Sequence, residues 1–314
     1  MVKVRPATHA GSWYSGNPNE LNSQLSHYLS LAKSSGKTSV KGARVLVGPH
    51  AGYSFAGKTL AQTYNSFDPT GIKRVFILGP SHHIYFKDEV RTTRYGAYAT
   101  PLGNVPVDTD TIKDLVSNAR HIDYMSSSVD ENEHSFELHM PLYYKACLDK
   151  GLSTPPPIIP ILISGFPGQL ADSLTSTLQP YFEDKENAFF VSTDFCHWGD
   201  RFGYTSYTPN GDLESMDDIT VAFNGKSNSL KIYESIEAVD KKGMELISKG
   251  DVSLWRQYLQ ATENTICGAY PLTVLLKLMG KADTFEWLGY TQSSHVLDPY
   301  DSSVSYASGY AIPS

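Results

Sequence analysis

The sequence predicts an α/β fold with a central mixed, largely parallel sheet flanked by helices. Three short apolar segments have the composition of buried parallel strands, and helical patterns lie between them. Each segment ends in residues that carry imidazoles or a carboxylate. Because ligands bind at the carboxyl ends of parallel strands, we expect one shared site. The segments are Arg44-Val-Leu-Val-Gly-Pro-His50, Val75-Phe-Ile-Leu-Gly-Pro-Ser-His-His83 and Ala188-Phe-Phe-Val-Ser-Thr-Asp-Phe-Cys-His197.

Hydrophobic spacing defines the elements of the N-terminal half. Leucines recur at helical intervals near the start, and β-branched runs bounded by glycine and proline follow. A Thr- and Tyr-rich alternating stretch then indicates an inserted hairpin. We predict helices over residues 18–32, 58–66 and 109–118, strands over 43–47 and 75–78, the second ending at Gly79-Pro80, and a hairpin over 89–107.

The C-terminal half continues the alternation of strands and helices. One helical segment is apolar on nearly every side, which predicts a buried helix. A long polar stretch after the third strand-end motif is expected to form a lid. We predict strands over 158–163, from Ala188, over 285–290 and over 304–310, helices over 167–181, 230–248, 253–261 and 270–279, and the lid over 199–225.

Composition and charge are those of an ordinary globular protein. Of 314 residues, 40% are hydrophobic and 19% charged, which is enough to bury the core of one large domain or of two. A net charge of -7 argues against nucleic acid and anionic lipid as main partners. Three cysteines are too few for a disulfide framework, and no apolar run suits a signal peptide or membrane span. We therefore expect a soluble intracellular protein.

The histidines and one cysteine suggest a metal site. His50 and His82 each follow a strand, and we expect these strands to be parallel neighbours that bring the two histidines together. Neutral imidazole is a ligand for zinc, copper and iron. Cys267 is the best third ligand, because it lies at an expected helix N-terminus, where the helix dipole favours the thiolate. Asp194 and His197 are candidates for acid–base chemistry, or for hydrogen bonds that orient the ligands.

Each of these residues taken alone has a simpler interpretation. A histidine after a strand is more often a hydrogen-bonded loop residue, and a lone cysteine is more often a core residue. A tryptophan beside glycine and serine in an opening loop, here Trp13, is more often a packing residue than a binding residue. The coincidence of three strand ends nevertheless favours a shared site. The sequence contains no phosphate-binding loop, nucleophile elbow or dinucleotide fingerprint.

The polar segment 130–142 has two interpretations. Glu133, His134 and Glu137 are spaced so that they share a face if the segment is helical. Either this is the solvated start of a capped helix, or its carboxylates orient imidazoles of the site. The sequence leaves both open.

Six motifs of the chain form a recognisable set. They are Pro49-His-Ala-Gly-Tyr53, Ile77-Leu-Gly-Pro-Ser-His-His83, Glu133-His-Ser-Phe-Glu-Leu-His-Met-Pro141, Ser192-Thr-Asp-Phe-Cys-His-Trp-Gly199, Asn264-Thr-Ile-Cys-Gly268 and Asp301-Ser-Ser-Val-Ser-Tyr-Ala307. This set resembles the Memo family, named for a mediator of ErbB2-driven cell motility. The resemblance runs from His9 to about Gly309, nearly the whole chain.

The resemblance implies a single domain over 1–314, with a fold like that of the class III extradiol ring-cleaving dioxygenases of LigB type. Those dioxygenases hold Fe(II) with two histidines and a glutamate. Memo-like proteins keep both histidines, here His50 and His82, and have a cysteine, here Cys267, in place of the carboxylate. Two imidazoles and a thiolate favour copper over such an iron centre. The implied cofactor is therefore Cu(I) or Fe(II), with no cofactor as the alternative.

The resemblance also implies an aromatic-lined pocket for phosphotyrosine peptides and a role in signalling to the cytoskeleton. Trp13, His50 and His197 match pocket positions of the family. Phe55 stands where relatives have tyrosine, which removes a hydroxyl contact. The full set that we expect to bind peptide or substrate is Trp13, Tyr53, Phe55, His83 and His139.

Three functions compete at this stage. The first is a copper or iron redox enzyme that reduces O2 and generates oxidants. The second is a catalytically idle module that recognises a (phospho)peptide or protein partner through the same pocket. The third, disfavoured by Cys267, is ring cleavage of a catechol-like substrate. We expect the cytoplasm as location, with the nucleus as a second one, and the sequence leaves enzyme status and oligomeric state open.

Overall fold

Strands and helices alternate along the parts of the chain that the computed structural model describes, which are residues 3–34, 36–165, 169–222, 229–280 and 285–313. The strands are β1 Val4–Arg5, β2 Val45–Gly48, β3 Arg74–Pro80, β4 Val90–Thr92, β5 Ala97–Thr100, β6 Gly103–Pro106, β7 Ile122–Tyr124, β8 Ile158–Ile163, β9 Asn187–Ser192, β10 His197–Trp198, β11 Ser206–Tyr207, β12 Asp217–Asp218, β13 Phe285–Gln292 and β14 Ser303–Ala311. The helices are α1 Pro18–Ser34, α2 Tyr53–Ser66, α3 Thr109–Asn118, α4 Ser127–Asn132, α5 His134–Glu137, α6 Met140–Asp149, α7 Leu170–Glu183, α8 Ile219–Ala222, α9 Ile232–Ser248, α10 Val252–Thr262 and α11 Ala269–Leu278.

A mixed sheet forms the centre of the fold. Its strand order is β10-β14-β2-β9-β3-β8-β4-β7, and β13 pairs with β14. The four central strands β2, β9, β3 and β8 are parallel. Antiparallel pairing adds β14 beside β2 and β4 beside β8. The structure therefore confirms the predicted α/β fold with a mixed, largely parallel sheet.

The central strands are apolar because helices cover them. Every residue of β2, β8 and β9 is buried. The rings of Phe76 and Phe189 on neighbouring strands stack with centroids 4.7 Å apart. Helix α11 contributes seven buried residues from a ten-residue segment, as its apolar composition predicts. No described helix is long and apolar enough to cross a bilayer.

The order of the central strands brings the three strand-end motifs to one edge. Strand β9 lies between β2 and β3 and is parallel to both. His50, His82 and Asp194 therefore leave the sheet at the same edge. The expectation that the strands before His50 and His82 are direct neighbours is wrong, because β9 separates them.

Among the predicted boundaries that differ from the structure, two lie next to the strand-end motifs. Strand β3 continues through Gly79 and Pro80, because both residues pair with β8. The pairing with β9 ends at Leu78, so no strand on that side needs a hydrogen bond from Pro80, which has no backbone N–H. Helix α2 begins at Tyr53 rather than at residue 58.

Two predicted segments contain elements beyond those expected. In the predicted hairpin, β5 and β6 pair as an antiparallel hairpin, whereas β4 joins the main sheet. From 199 to 222 the predicted lid contains β11, β12 and α8, and Tyr207 within it is fully buried. The buried Tyr207 side chain anchors the segment to the core. The polar composition of the segment did not indicate this anchoring. Residues 223–225 of the predicted lid and residues 167–168 of the helix predicted over 167–181 lie outside the described residues.

Candidate metal site

Three imidazoles converge at the carboxyl edge of the sheet. One nitrogen each from His50, His82 and His134 lies within 4.8 Å of the others. The ring centroids of His50 and His82 are 5.0 Å apart, and those of His82 and His134 are 4.2 Å apart. The structure thus brings together the two histidines that the strand-end rule selected, and it adds a third.

His50 is held as a neutral imidazole with one nitrogen free to bind. Its Nδ1 lies 2.6 Å from Oγ of Ser192, whose hydrogen is already donated to the carbonyl of Ser135 at 2.7 Å. Nδ1 must therefore carry the proton, which leaves the lone pair on Nε2. Burial holds the pKa of His50 well below its usual value, and the neighbouring histidines add to this effect. The backbone N–H of His50 donates to Asp194 at 2.9 Å.

His82 is oriented by Glu133. Its Nδ1 lies 2.8 Å from Oε1 of Glu133, and its backbone N–H donates to Oε2 at 2.9 Å. Burial lowers the pKa of His82, but hydrogen bonds with Cys267 and Glu133 outweigh burial and raise it to about 10. Burial raises the pKa of Glu133, but the hydrogen bond and charge of His82 lower it to about 2. Glu133 therefore fits the second interpretation of this segment, in which a carboxylate orients an imidazole of the site.

His134 is a candidate ligand that the sequence did not indicate. It lies on the short helix α5 and not at a strand end, so the strand-end rule could not find it. Its ring packs against Trp13 with centroids 4.4 Å apart. Burial and the charge of His82 lower the pKa of His134 to about 3, which keeps it neutral. Its position directly after Glu133 was the signal in the sequence that could have identified it.

Cys267 lies against His50 at the start of α11. Its Sγ is 3.3 Å from Nε2 of His50 and accepts the backbone N–H of Asp194 at 3.2 Å. The next residue, Gly268, donates its N–H to Oγ1 of Thr193 at 2.9 Å. A Cβ at Gly268 would lie 2.3 Å from Cβ of Thr193, so only glycine permits this approach.

These donors fit a metal ion. Tetrahedral ligands at ordinary nitrogen and sulfur distances lie about 3.5 Å apart, close to the 3.3 Å between His50 Nε2 and Cys267 Sγ. Metals bind the deprotonated ring nitrogen, which His50 and His134 already offer because their pKa values are lowered. Because the pKa of His82 is raised, a metal that binds there displaces a proton from its ring. The cluster can therefore hold a metal through His50 and His82, with Cys267 or His134 as a third donor.

Asp194 and His197, from the third strand-end motif, lie beside the cluster. Asp194 is 4% exposed, and burial raises the pKa of its carboxyl group. Its carboxylate holds the backbone of His50, which makes it an orienting group. Nδ1 of His197 donates to the carbonyls of Phe195 and Thr265, at 2.9 and 3.0 Å. This tautomer leaves Nε2 of His197 as a proton acceptor.

The remaining predicted binding residues divide into two groups. Trp13 is 38% exposed and Phe55 is 61% exposed, and His83 lies exposed beside His134. Tyr53 and His139 are each 1% exposed, so a ligand at the surface does not reach them. The Tyr53 hydroxyl donates to the Leu138 carbonyl at 2.7 Å, which fixes it inside the core.

Comparison with known proteins identifies the family. A family model of Memo-like proteins matches residues 5–310. The MEMO1 family protein MHO1 of Saccharomyces cerevisiae is 38% identical over 98% of this chain and 99% of its own length. The chain belongs to the Memo family. Protein MEMO1 of Mus musculus is 37% identical over 98% of this chain and 97% of its own length.

A solved structure shares the fold of this Memo family member. The crystal structure of an uncharacterized Escherichia coli K12 protein matches with a TM-score of 0.50. The match covers 84% of this chain and 98% of the other, at 11% sequence identity. The likeness is one of fold alone.

Proposed function

We propose that this Memo family protein binds one copper or iron ion through His50, His82 and Cys267 and acts in redox chemistry. The proposal is carried by the convergence of His50, His82 and His134, with one nitrogen of each within 4.8 Å of the others, and by Sγ of Cys267, which lies 3.3 Å from Nε2 of His50. A bound copper or iron ion supplies one-electron exchange with O2. Two imidazoles and a sulfur ligand favour Cu(I) over Fe(II).

The residues around the site have separate tasks in this proposal. Glu133 and Ser192 fix the ring orientation of His82 and His50. Asp194 fixes the backbone of His50. His197 accepts a proton at Nε2, because its Nδ1–H is held by two carbonyls. A link to cell motility and cytoskeletal signalling rests on the family resemblance.

Metal titration of site variants tests the proposal. We expect stoichiometric anaerobic binding of Cu(I) in the wild-type protein and its loss in His50→Ala, His82→Ala and Cys267→Ser. Glu133→Gln keeps the shape but weakens the orienting bond, so we expect about 10–100-fold weaker binding. Fe(II) and Zn(II) are titrated in parallel to rank the metals.

The controls separate ligand loss from general damage. His27 lies exposed on α1, and His27→Ala should bind metal as the wild type does. His134→Ala tells whether the third imidazole adds to the affinity. Undiminished Cu(I) binding and redox turnover in Cys267→Ser would contradict the proposal.

A cleft beside the site favours a second function, the recognition of a phosphopeptide. The cleft has a volume of about 340 Å³, and Trp13, Phe55, Tyr306 and Arg201 lie on its wall. Aromatic faces and a guanidinium are the groups that bind a phosphorylated tyrosine. Phe55 offers the ring without a hydroxyl.

Peptide binding tests this second function. We expect a phosphotyrosine peptide to bind more tightly than its unphosphorylated form, and expect Arg201→Ala to remove the difference of about 1–3 kcal/mol. Arg256→Ala, at an exposed position of α10, is the matched control. Binding that is unchanged in Trp13→Ala combined with His197→Ala would count against the module.

A further inference from the structure

Asp240 is a buried carboxylate without a basic partner in the described part of the chain. It lies on α9, and its side chain has no exposed surface. None of the described Arg, Lys or His side chains forms an ion pair with it. Burying an unpaired carboxylate is unfavourable unless hydrogen bonds compensate. The groups that supply those bonds therefore indicate what Asp240 does.

The carboxylate accepts hydrogen bonds from two segments of the metal site. Oδ1 accepts from Nδ2 of Asn264 at 2.8 Å and from the backbone N–H of Cys196 at 3.3 Å. Oδ2 accepts from the Tyr290 hydroxyl at 2.8 Å. Asn264 opens the segment 264–268, which contains Cys267. Cys196 lies in the segment 193–197, between Asp194 and His197.

The two segments also contact each other directly. Oγ1 of Thr265 accepts the N–H of His197 and donates to its carbonyl, both at 2.8 Å. Sγ of Cys267 accepts the N–H of Asp194 at 3.2 Å. Oδ1 of Asp240, on α9, therefore holds both segments. The contact between the two segments places Sγ of Cys267.

The backbone just before Asn264 supports this role. Glu263 closes α10 in the left-handed region, with φ of 49°. That conformation is unfavourable for a residue with a Cβ and persists where surrounding contacts impose it. The hydrogen bond from Asn264 to Asp240 is one of the contacts made by the turn that begins at Glu263.

We propose that Asp240 is a positioning residue, which sets the distance of Cys267 from His50 by joining segments 193–197 and 264–268. The side chain acts through Asn264 and the Cys196 amide and does not touch the metal. The inference rests on the proposed function only in treating Cys267 as a ligand. The positioning itself exists with or without a metal.

Hydrogen exchange of the full-length protein tests the positioning. Asp240→Ala removes the acceptor, and we expect exchange in 193–197 and 264–268 to rise about tenfold relative to the rest of the chain. Asp240→Asn should rescue protection, because its amide oxygen still accepts from both segments while its NH2 donates to Tyr290. Asn264→Ala cuts the bond from the other side and keeps the test decisive if Asp240→Ala fails to fold.

Tyr290→Phe is the matched control. It removes a bond to Oδ2 but touches neither segment, so protection of both segments should remain. An equal rise in exchange along the whole chain in Asp240→Ala and Asn264→Ala would overturn the proposal. So would unchanged protection of both segments in these variants.

Cu(I) affinity gives an independent readout. We expect about tenfold weaker binding in Asp240→Ala and Asn264→Ala, and near wild-type binding in Asp240→Asn and Tyr290→Phe. If Cys267→Ser binds Cu(I) as the wild type does, the metal proposal fails while hydrogen exchange still decides the positioning. If Cys267→Ser loses binding but Asp240→Ala and Asn264→Ala do not, the positioning proposal alone is overturned.

Discussion

Replacing Arg5 with alanine is expected to lower the free energy of unfolding by about 3–5 kcal/mol. The guanidinium is 1% exposed and contacts Asp130 at 3.0 Å and Glu137 at 2.6 Å. It also donates to the carbonyls of Asp130, Glu131 and Glu133. Without Arg5, two buried carboxylates lose their charged partner. Urea unfolding of the two proteins measures the difference.

An exposed ion pair provides the control for this effect. Lys73 and Glu186 lie 2.8 Å apart, with side chains 62% and 50% exposed. Solvent screens such a pair, so Lys73→Ala should cost less than about 1 kcal/mol. Similar losses in Arg5→Ala and Lys73→Ala would show that the buried network contributes no more than a surface pair.

The Asp240 carboxylate is expected to make stability depend on pH by about 3 kcal/mol. Burial raises its pKa from the usual 3.8 to about 6, although hydrogen bonds from Asn264 and others lower it. Between these values the folded protein binds the proton more tightly than the unfolded chain. The contribution to stability is therefore fully present below about pH 4 and is lost as the pH rises through about 6.

Asp240→Asn removes this titration and keeps the side-chain shape. The unfolding free energy of the variant minus that of the wild type should increase by about 3 kcal/mol between about pH 4 and pH 7. Burial raises the pKa values of the facing Tyr258, Tyr290 and Cys196 far above their usual values, so they do not titrate there. Urea unfolding across this range measures the difference.

Asp110→Asn is the control for the pH experiment. The Asp110 side chain is 91% exposed, so the same chemical change there involves no buried carboxylate. Its stability curve should run nearly parallel to that of the wild type. A parallel curve for Asp240→Asn would instead refute the buried titration.

Much of the fold could be predicted, because its signals are local. The apolar composition of β2, β3, β8 and β9 and the periodicity of α1 and α9 reflect which faces are buried. The boundaries were less predictable. A proline usually ends a strand because it has no backbone N–H to donate. Pro80 continues β3 here because the pairing with β9 stops at Leu78, so no strand lies opposite the proline nitrogen.

The candidate site was predictable in part for a similar reason. His50, His82 and Asp194 each follow a strand in the sequence, and parallel strands bring their ends to one edge. His134 follows no strand, and α5 carries it to the cluster through tertiary packing. The burial of His139 and Tyr53 was equally hidden, since the same motif residues occur at surfaces and in cores.

The sequence by itself determined the fold class, the strand-end histidines and the family, because these depend on composition, local order and recurring motifs. Only the tertiary structure decided which atoms meet. It placed Cys267 against His50, brought His134 beside His82, and set Asp240 beneath the two segments that carry Cys267 and His197. Such contacts join residues that are far apart in the chain, and no local pattern encodes the distance between them.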